Sequence, residues 1–396
     1  MKKIFIYKYN PLNIGLIDCK DLIVIAESSQ KSNYEKGLYK YIKIFYIEKI
    51  EMQSAIRIVD KINNKENIEE IFTLDETIMD WVGALNDYYC KHESQFLKNT
   101  IFKDKYYMRC FFDGTVEQPK YSEELDEKIK FEVIRKPRKK SCAEGIVLCN
   151  SEIKGDKKIS SEDYIYEEYI SYDQMFTSDG YACNGKIVRF FSHCYDGKIL
   201  EEIWKHNKRE KYILAYTNKY YWSDYAVITR LYEETSRIIE KYAKNIVIPF
   251  HFEWFYIKES NSFIFCEGAC RFGGSRIPQM ITDSFGVDVL GEYWEHKINN
   301  ISKENVDMEK VLLRPIRISG TYNSLITKGT KKDVSEIDDN SIREFISYVK
   351  PGIKYENAKN VSELSFLCRF CVNDWDEFTI IKNKISNYSE ATIVRG

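Results

Sequence analysis

The sequence predicts an α/β (α+β) protein, and three observations carry that reading. Short apolar, β-prone runs alternate with amphipathic helical stretches over residues 1–95. Strand patterns joined by tight turns dominate residues 176–300. Helix and strand patterns mix elsewhere, with no internal repeat and no low-complexity linker, so the parts are expected to pack together rather than hang on flexible strings. A chain of 396 residues exceeds one small core and is expected to form two or three packed units.

The elements follow in order. Residues 1–95 hold IFIY, DLIVIAE, IKIFYIEKI and IEEIFTL, interleaved with MQSAIRIVDKI and ETIMDWVGALNDYY, which is the βαβ rhythm of a small open parallel sheet. No G-x-G-x-x-G follows the first strand, so no dinucleotide site is expected there. Residues 96–175 carry DKYYMRCFF, a turn-rich segment, FEVIRKP, the basic small-residue stretch RKKSCAEG, and YIYEEYI. Within 176–300, DGYACNGKIVRFFSHCYDGKIL reads as two strands joined at Asp196–Gly197, and HFEWFYIKESNSFIFCEG reads as a hairpin turning at Lys258 to Asn261. Helices are expected at SDYAVITRLYEETSRIIEKYA and at RIPQMITDSFGVDVLGEYWEH. Residues 301–396 open on a strand pattern, VLLRPIRISGTYNSLITKG, and close on helix then strand, WDEFTIIKNKISNYSEATIV, as a C-terminal subdomain.

Composition narrows the partners. The 59 Lys+Arg and 61 Asp+Glu nearly cancel to a net charge of −2, which gives no reason to expect nucleic acid. No window of about 18 apolar residues occurs, so no membrane span is expected. Eleven cysteines, an odd number scattered along a chain that starts MKKIFIYKYN without a signal-peptide core, fit a reducing cytoplasm better than a disulfide framework. Cys368 and Cys371 form C-x-x-C, but no second pair or histidine cluster accompanies them, and strand burial is the expected role.

The chemistry concentrates around FCEGACRFGG, Phe265 to Gly274. In the hairpin before it, alternation places Phe252, Trp254 and Tyr256 on one face and His251, Glu253 and Phe255 on the other. Glu253 and Glu267 both sit on runs that otherwise look buried, and their spacing (267 − 253 = 14) suits adjacent antiparallel strands with a short turn. Two isolated strand acids are most simply paired with a lysine and with Arg271. Two buried carboxylates held close together instead call for a base, a proton or a metal. Upstream, Lys105 precedes a helix, Lys136 ends a strand before a proline, and Ser141, Ala143 and Gly145 offer backbone N–H groups that can approach phosphate oxygens. YIYEEYI could present backbone groups and Ile170 to an adenine ring. Cys266 and Cys270 read as small packing residues, His251 as equally suited to substrate contact or structure, and His193 as structural.

In this order the pieces resemble the ATP-grasp superfamily, over about Glu76 to Glu295. The ordered signature is DK..MR, V.RKP with a small-residue loop ending at Gly145, EEYI, DGY..NGKI, H.E.F and CEGACRFGG. It is most similar to L-amino acid (dipeptide) ligases and to the biotin carboxylase fold. The resemblance implies an N-terminal domain over 1–95, a small ATP-grasp lobe over 96–175, a large lobe with the metal site over 176–300 and a C-terminal subdomain over 301–396. It implies that Lys105 and Lys136 hold ATP phosphates, that Ser141 to Gly145 form the flap above them, and that Glu167, Glu168 and Ile170 receive adenine and ribose. It also implies Glu253 and Glu267 as magnesium ligands, with manganese as a substitute, and Arg271 as the residue that steadies the transferred phosphoryl group or the substrate carboxylate. Ala269 stands where many members carry an asparagine, which implies fewer protein ligands for one magnesium or a weaker second site. The ribose contact would fall among Asp173, Gln174 and Met175.

The activity implied is ATP-dependent, ADP-forming ligation of a carboxylate to an amine through an acyl phosphate, on small molecules, in a protein whose relatives often form homodimers. Three alternatives stay open at this point: carboxyphosphate chemistry on bicarbonate, ligation to a thiol or hydroxyl, and a nucleotide-binding module without turnover.

Overall fold

The computed structural model describes residues 1–9, 11, 19–37, 41–91, 94–125, 132–149, 163–200, 211–299, 308–332 and 337–394. The first unit is a four-stranded parallel sheet of β1 (Lys2–Tyr7), β2 (Leu22–Glu27), β3 (Lys43–Ile47) and β4 (Ile68–Phe72) in the order β3-β2-β1-β4. Its two central strands read as unbroken apolar runs because both faces are covered. Ile4, Ile6, Ile23 and Ile25 face Ala55, Val59, Val82 and Leu85 of the helices Met52–Asn63 and Met79–Cys90. Phe5, Tyr7, Leu22 and Val24 take the opposite face and join the main core, where Phe5 meets Trp294 edge-on.

Two short helices, Gln95–Lys103 and Lys105–Phe112, lead out of this unit. Asp104 separates them and caps the second, its carboxylate accepting from the backbone N–H of Tyr106 and of Tyr107. An antiparallel sheet follows, made of β5 (Tyr121–Ser122), β6 (Val133–Pro137), β7 (Val147–Cys149) and β8 (Tyr164–Glu168) in the order β5-β8-β6-β7.

The largest sheet has eight antiparallel strands. It contains β9 (Gln174–Cys183), β10 (Lys186–Asp196), β11 (Tyr212–Thr217), β12 (Val247–Ile257), β13 (Ser262–Ala269), β14 (Ile318–Leu325), β16 (Ile342–Ser347) and β18 (Leu364–Val372), in the order β13-β12-β9-β10-β11-β14-β18-β16. The strands β15 (Gly329–Lys331), β17 (Lys354–Tyr355) and β19 (Ile393–Val394) form a small third antiparallel sheet. Strands from beyond residue 300 thus continue the sheet that carries β12 and β13. The helices Tyr225–Tyr242, Ile277–Phe285, Val289–Asn299 and Trp375–Ala391 pack on it through buried aliphatic and aromatic residues, among them Ile228, Leu231, Met280, Trp294 and Ile385.

Two local expectations are corrected. The β9–β10 hairpin turns at Asn184–Gly185, with φ of 50° and 76°, and not at Asp196–Gly197, where β10 ends. Both turn residues need positive φ, which an Asn-Gly pair adopts with least strain. The single helix expected over 276–296 is two, broken at Gly286 (φ 69°) in the left-handed conformation that closes Ile277–Phe285. No disulfide links any of the eleven cysteines, and Cys368 and Cys371 are buried on β18. Among the described residues, no helix is long and apolar enough to cross a membrane.

Candidate active site

Glu253 on β12 and Glu267 on β13 are direct cross-strand partners. A β-bulge makes them so. From Ile257↔Ser262 to Trp254↔Phe265 the hairpin pairs regularly, which would bring Cys266 opposite Glu253; the register then shifts by one residue and Glu267 takes that place. Facing residues in such a pair stand about 5 Å apart at Cβ, so two carboxylates share one spot. Burial and the neighbouring Glu267 raise the Glu253 carboxyl above the ordinary range, although the Tyr195 hydroxyl donates to its Oε1 (2.9 Å). Burial also opposes the charge on Glu267, but Lys105 and Lys136 hold it below the ordinary range.

Lys105 opens its helix and extends Nζ to 3.3 Å from Glu267 Oε2, donating also to the Lys140 carbonyl at 2.6 Å. Lys136, on β6, is buried and lies 2.7 Å from Glu167 Oε2. Glu167 is fully buried on β8 and also receives Arg109, whose Nε is 2.9 Å from Oε1 and whose Nη2 is 3.2 Å from Oε2. The rest of the Arg109 fork donates to the carbonyls of Phe265 and Cys266, the two residues before Glu267. One guanidinium therefore joins β8 to β13 beside the carboxylate pair. Against burial, Arg109 and Lys136 lower the Glu167 carboxyl to about 2.

The loop Ser141–Gly145 covers this region. Cys142 and Ala143 take φ of 59° and 55°, Gly145 takes 72°, and the Cys142 carbonyl accepts from the Val361 backbone N–H (3.3 Å). A cavity of about 200 Å³ opens beneath, and its lining brings together Lys105, Lys136, Ser141, Glu253, Glu267 and Arg271. Gly145, Glu167, Glu168 and Ile170 are not part of that lining. The Glu167 carboxylate is taken up by its two cations, that of Glu168 faces Lys120 (3.4 Å), and Ile170 packs on the main core. Of Asp173, Gln174 and Met175, Met175 lines the cavity, whereas Asp173 accepts from the Lys258 N–H and Gln174 donates to the Tyr195 carbonyl.

At the far end of the cavity Glu76, His251 and Arg271 join the lining, and Asp179 and His193 lie behind them, a set that the sequence did not single out. Arg271 donates through Nε to Glu76 Oε2 (2.8 Å) and through Nη1 to its neighbour's carbonyl (3.0 Å). Asp179, buried on β9, is 2.6 Å from His251 Nδ1 and 2.9 Å from His193 Nδ1, and accepts from the Thr177 hydroxyl. Burial works against a charged imidazole, but Asp179 raises His251 above the ordinary range. Gly273 is required beside them, because a Cβ there would come within 2.9 Å of His251 Nδ1 and 3.0 Å of Asp179 Oδ1. Burial pushes the Cys266 and Cys270 thiols up, that of Cys270 to about 12, so both act as packing groups rather than nucleophiles. Only the ordered pieces DK..MR and DGY..NGKI hinted at Arg109 and Asp179, without a role for either, and nothing separated Glu76 from ordinary acids.

Two opposed carboxylates with one raised pKa suit a divalent cation that takes hard oxygen ligands. Among the described residues, no group of three or more His, Cys, Asp or Glu side chains could hold a metal. That donor set fits magnesium, which is commonly bound by one or two carboxylates with substrate phosphates completing its shell.

No family model and no curated protein matches this chain. Solved structures do. The L-amino acid ligase from Bacillus licheniformis superposes with a TM-score of 0.71 at 12% identity, covering 98% of this chain and 97% of that one. The phosphoribosylglycinamide synthetase from Anaerococcus prevotii gives 0.65 at 14% identity, covering 98% of both chains. The biotin carboxylase from Campylobacter jejuni, solved with an ATP analogue, gives 0.65 at 14% identity over 97% of this chain and 90% of that one. On this likeness, which extends over nearly the whole chain, the protein has the ATP-grasp fold.

Proposed function

We propose that the protein is an ATP-dependent, ADP-forming ligase that joins a small-molecule carboxylate to an amine. The observation that carries this reading is the convergence on one cavity of two opposed carboxylates, two lysines and an arginine anchored by a further acid. Lys105 and Lys136 bind the phosphates of ATP, and the Ser141–Gly145 loop closes over them. Glu253 and Glu267 hold magnesium, which when bound neutralises phosphate charge during phosphoryl transfer. Arg271, fixed by Glu76, presents its remaining guanidinium edge to the substrate carboxylate or the transferred phosphoryl group. The carboxylate attacks the γ-phosphorus and ADP leaves with the bridging oxygen. The resulting acyl phosphate is attacked at carbon by an amine, which forms the amide, releases phosphate and gives up its proton. Closure of the flap keeps water from the acyl phosphate.

The test is hydroxamate formation from pooled carboxylic acids with Mg-ATP and hydroxylamine. Wild type should give signal with ADP release, and Glu267→Gln should abolish both while keeping its fold by circular dichroism. An active Glu267→Gln enzyme would remove that residue from the mechanism, and ATP binding without ADP release from any acid and amine pool would leave a nucleotide-binding module.

A further inference from the structure

We propose that the cavity continues beyond the paired carboxylates into a compartment at β14 that selects a substrate whose apolar body ends in a neutral hydrogen-bond donor, with Asn323 as the selecting residue. The inference rests on the ligase reading above for the reaction that the bound molecule undergoes. The register carries one face of the sheet outward from the carboxylates. Phe255 pairs with Met175 on β9, Tyr195 on β10 pairs with Ala215 on β11, and Ile213 pairs with Asn323 on β14. All six line the same cavity as Glu253.

Asn323 is 2% exposed. Its Nδ2 donates to the Ile213 carbonyl at 3.3 Å. A carbonyl can only accept, so the amide is held one way round and its Oδ1 faces elsewhere. Among the described residues that Oδ1 has no hydrogen-bond partner. Thr321 precedes it by two positions on the same face of β14, is fully buried, and its Oγ1 likewise has no partner among the described residues. Buried polar atoms are rarely left unmade, and Asn323, which lines the cavity as Thr321 does not, marks the place where a ligand supplies what the described residues do not.

The surroundings define the ligand. Ile199, Leu200, Ile213, Ala215 and Val361 provide apolar walls. Arg369, which pairs with Thr321 across the ladder, is neutralised by Asp283 and Glu344, although its Nε has no hydrogen-bond partner among the described residues. An amide oxygen in a neutral, apolar compartment selects a hydroxyl, amide or indole N–H over a bare hydrocarbon of the same shape. Bicarbonate, which has no such body, leaves the compartment empty.

Binding is measured by isothermal titration with Mg-ADP present, so turnover is not needed. The probes are matched carboxylic acids and amines, 4-hydroxyphenyl against phenyl and terminal amide against isobutyl. Wild type should bind the donor-bearing member about 10-fold more tightly, and Asn323→Leu should erase that difference while keeping affinity for Mg-ADP. Should Asn323→Leu fail to fold, the isosteric Asn323→Asp should shift the preference toward an ammonium-tipped analogue. A preference that survives Asn323→Leu, an unchanged ranking in Asn323→Asp, or no binding by either pair overturns the assignment. Binding with the expected preference but no hydroxamate from any bound acid would overturn the ligase reading and leave the compartment standing.

Discussion

Replacing Glu167 by glutamine removes the carboxylate that pairs directly with both Arg109 and Lys136, while leaving the size of the side chain nearly unchanged. Its carboxyl is lowered from an ordinary 4.5 to about 2. That lowering of roughly 2.5, at about 1.4 kcal/mol for each tenfold change in proton affinity, corresponds to about 3–3.5 kcal/mol of pH-linked stability. No discount for solvent is due because the side chain is fully buried. Breaking a buried ion pair by removing one partner falls in the same range, about 3–5 kcal/mol. The sign is fixed by the depressed pKa. The contribution is complete above the unfolded value of 4.5 and is lost as pH falls through the folded value near 2. Urea unfolding of wild type and Glu167→Gln at pH 7 should therefore show a gap of about 3 kcal/mol, narrowing by roughly 2 kcal/mol at pH 3 because only wild type takes up the proton. Equal midpoints at pH 7, or a gap that does not shrink on acidification, would refute the argument.

Two further substitutions probe the far end of the cavity. Arg271→Lys keeps a positive charge but cannot span both Glu76 and the Phe272 carbonyl, so hydroxamate formation should fall about 100-fold with Mg-ADP affinity changed only a few-fold; wild-type rates would exclude a role for the fork. Gly273→Ala forces a methyl against the His251–Asp179 contact and should lower stability by about 1–3 kcal/mol, read as a lower urea midpoint; an unchanged midpoint would mean that this corner of the site yields freely.

Most of the architecture was legible because it rests on local pattern. The parallel N-terminal sheet follows from apolar runs of strand length between amphipathic stretches, and the β12–β13 hairpin from alternation and a turn at Lys258–Asn261. The facing of Glu253 and Glu267 was only half legible. Their spacing suggested proximity, but the bulge at Cys266 that turns near neighbours into direct partners leaves no pattern of its own. Glu167 shows the limit most clearly. The resemblance implies a place for it at adenine and ribose, and the sequence carries no sign that its carboxylate lies between Arg109, 58 positions away, and Lys136. Long-range ion pairs of this kind arise from how helix Lys105–Phe112 lies across β8 and β13, and a linear reading has no access to that crossing. The same holds for Arg271 with Glu76, 195 residues apart, and for Asp179 with its two histidines.

The continuity of the eight-stranded sheet across residue 300 bears on how the gene for this protein can be cut and recombined. Strand β11 is bonded on its outer side to β14, through Tyr212↔Ser324 to Tyr216↔Gly320. A fragment ending before β14 would leave β11 as a bare, apolar edge able to recruit strands from other molecules, so aggregation and not a minimal nucleotide-binding unit is the expected product. Chimeras that exchange the last hundred residues face a stricter condition. A slip of one position along β11 would turn Thr321 and Asn323 to the opposite side of the sheet and bring Tyr322, now core, into the cleft. Donor segments must therefore match in strand register before they are judged on loops or surface charge.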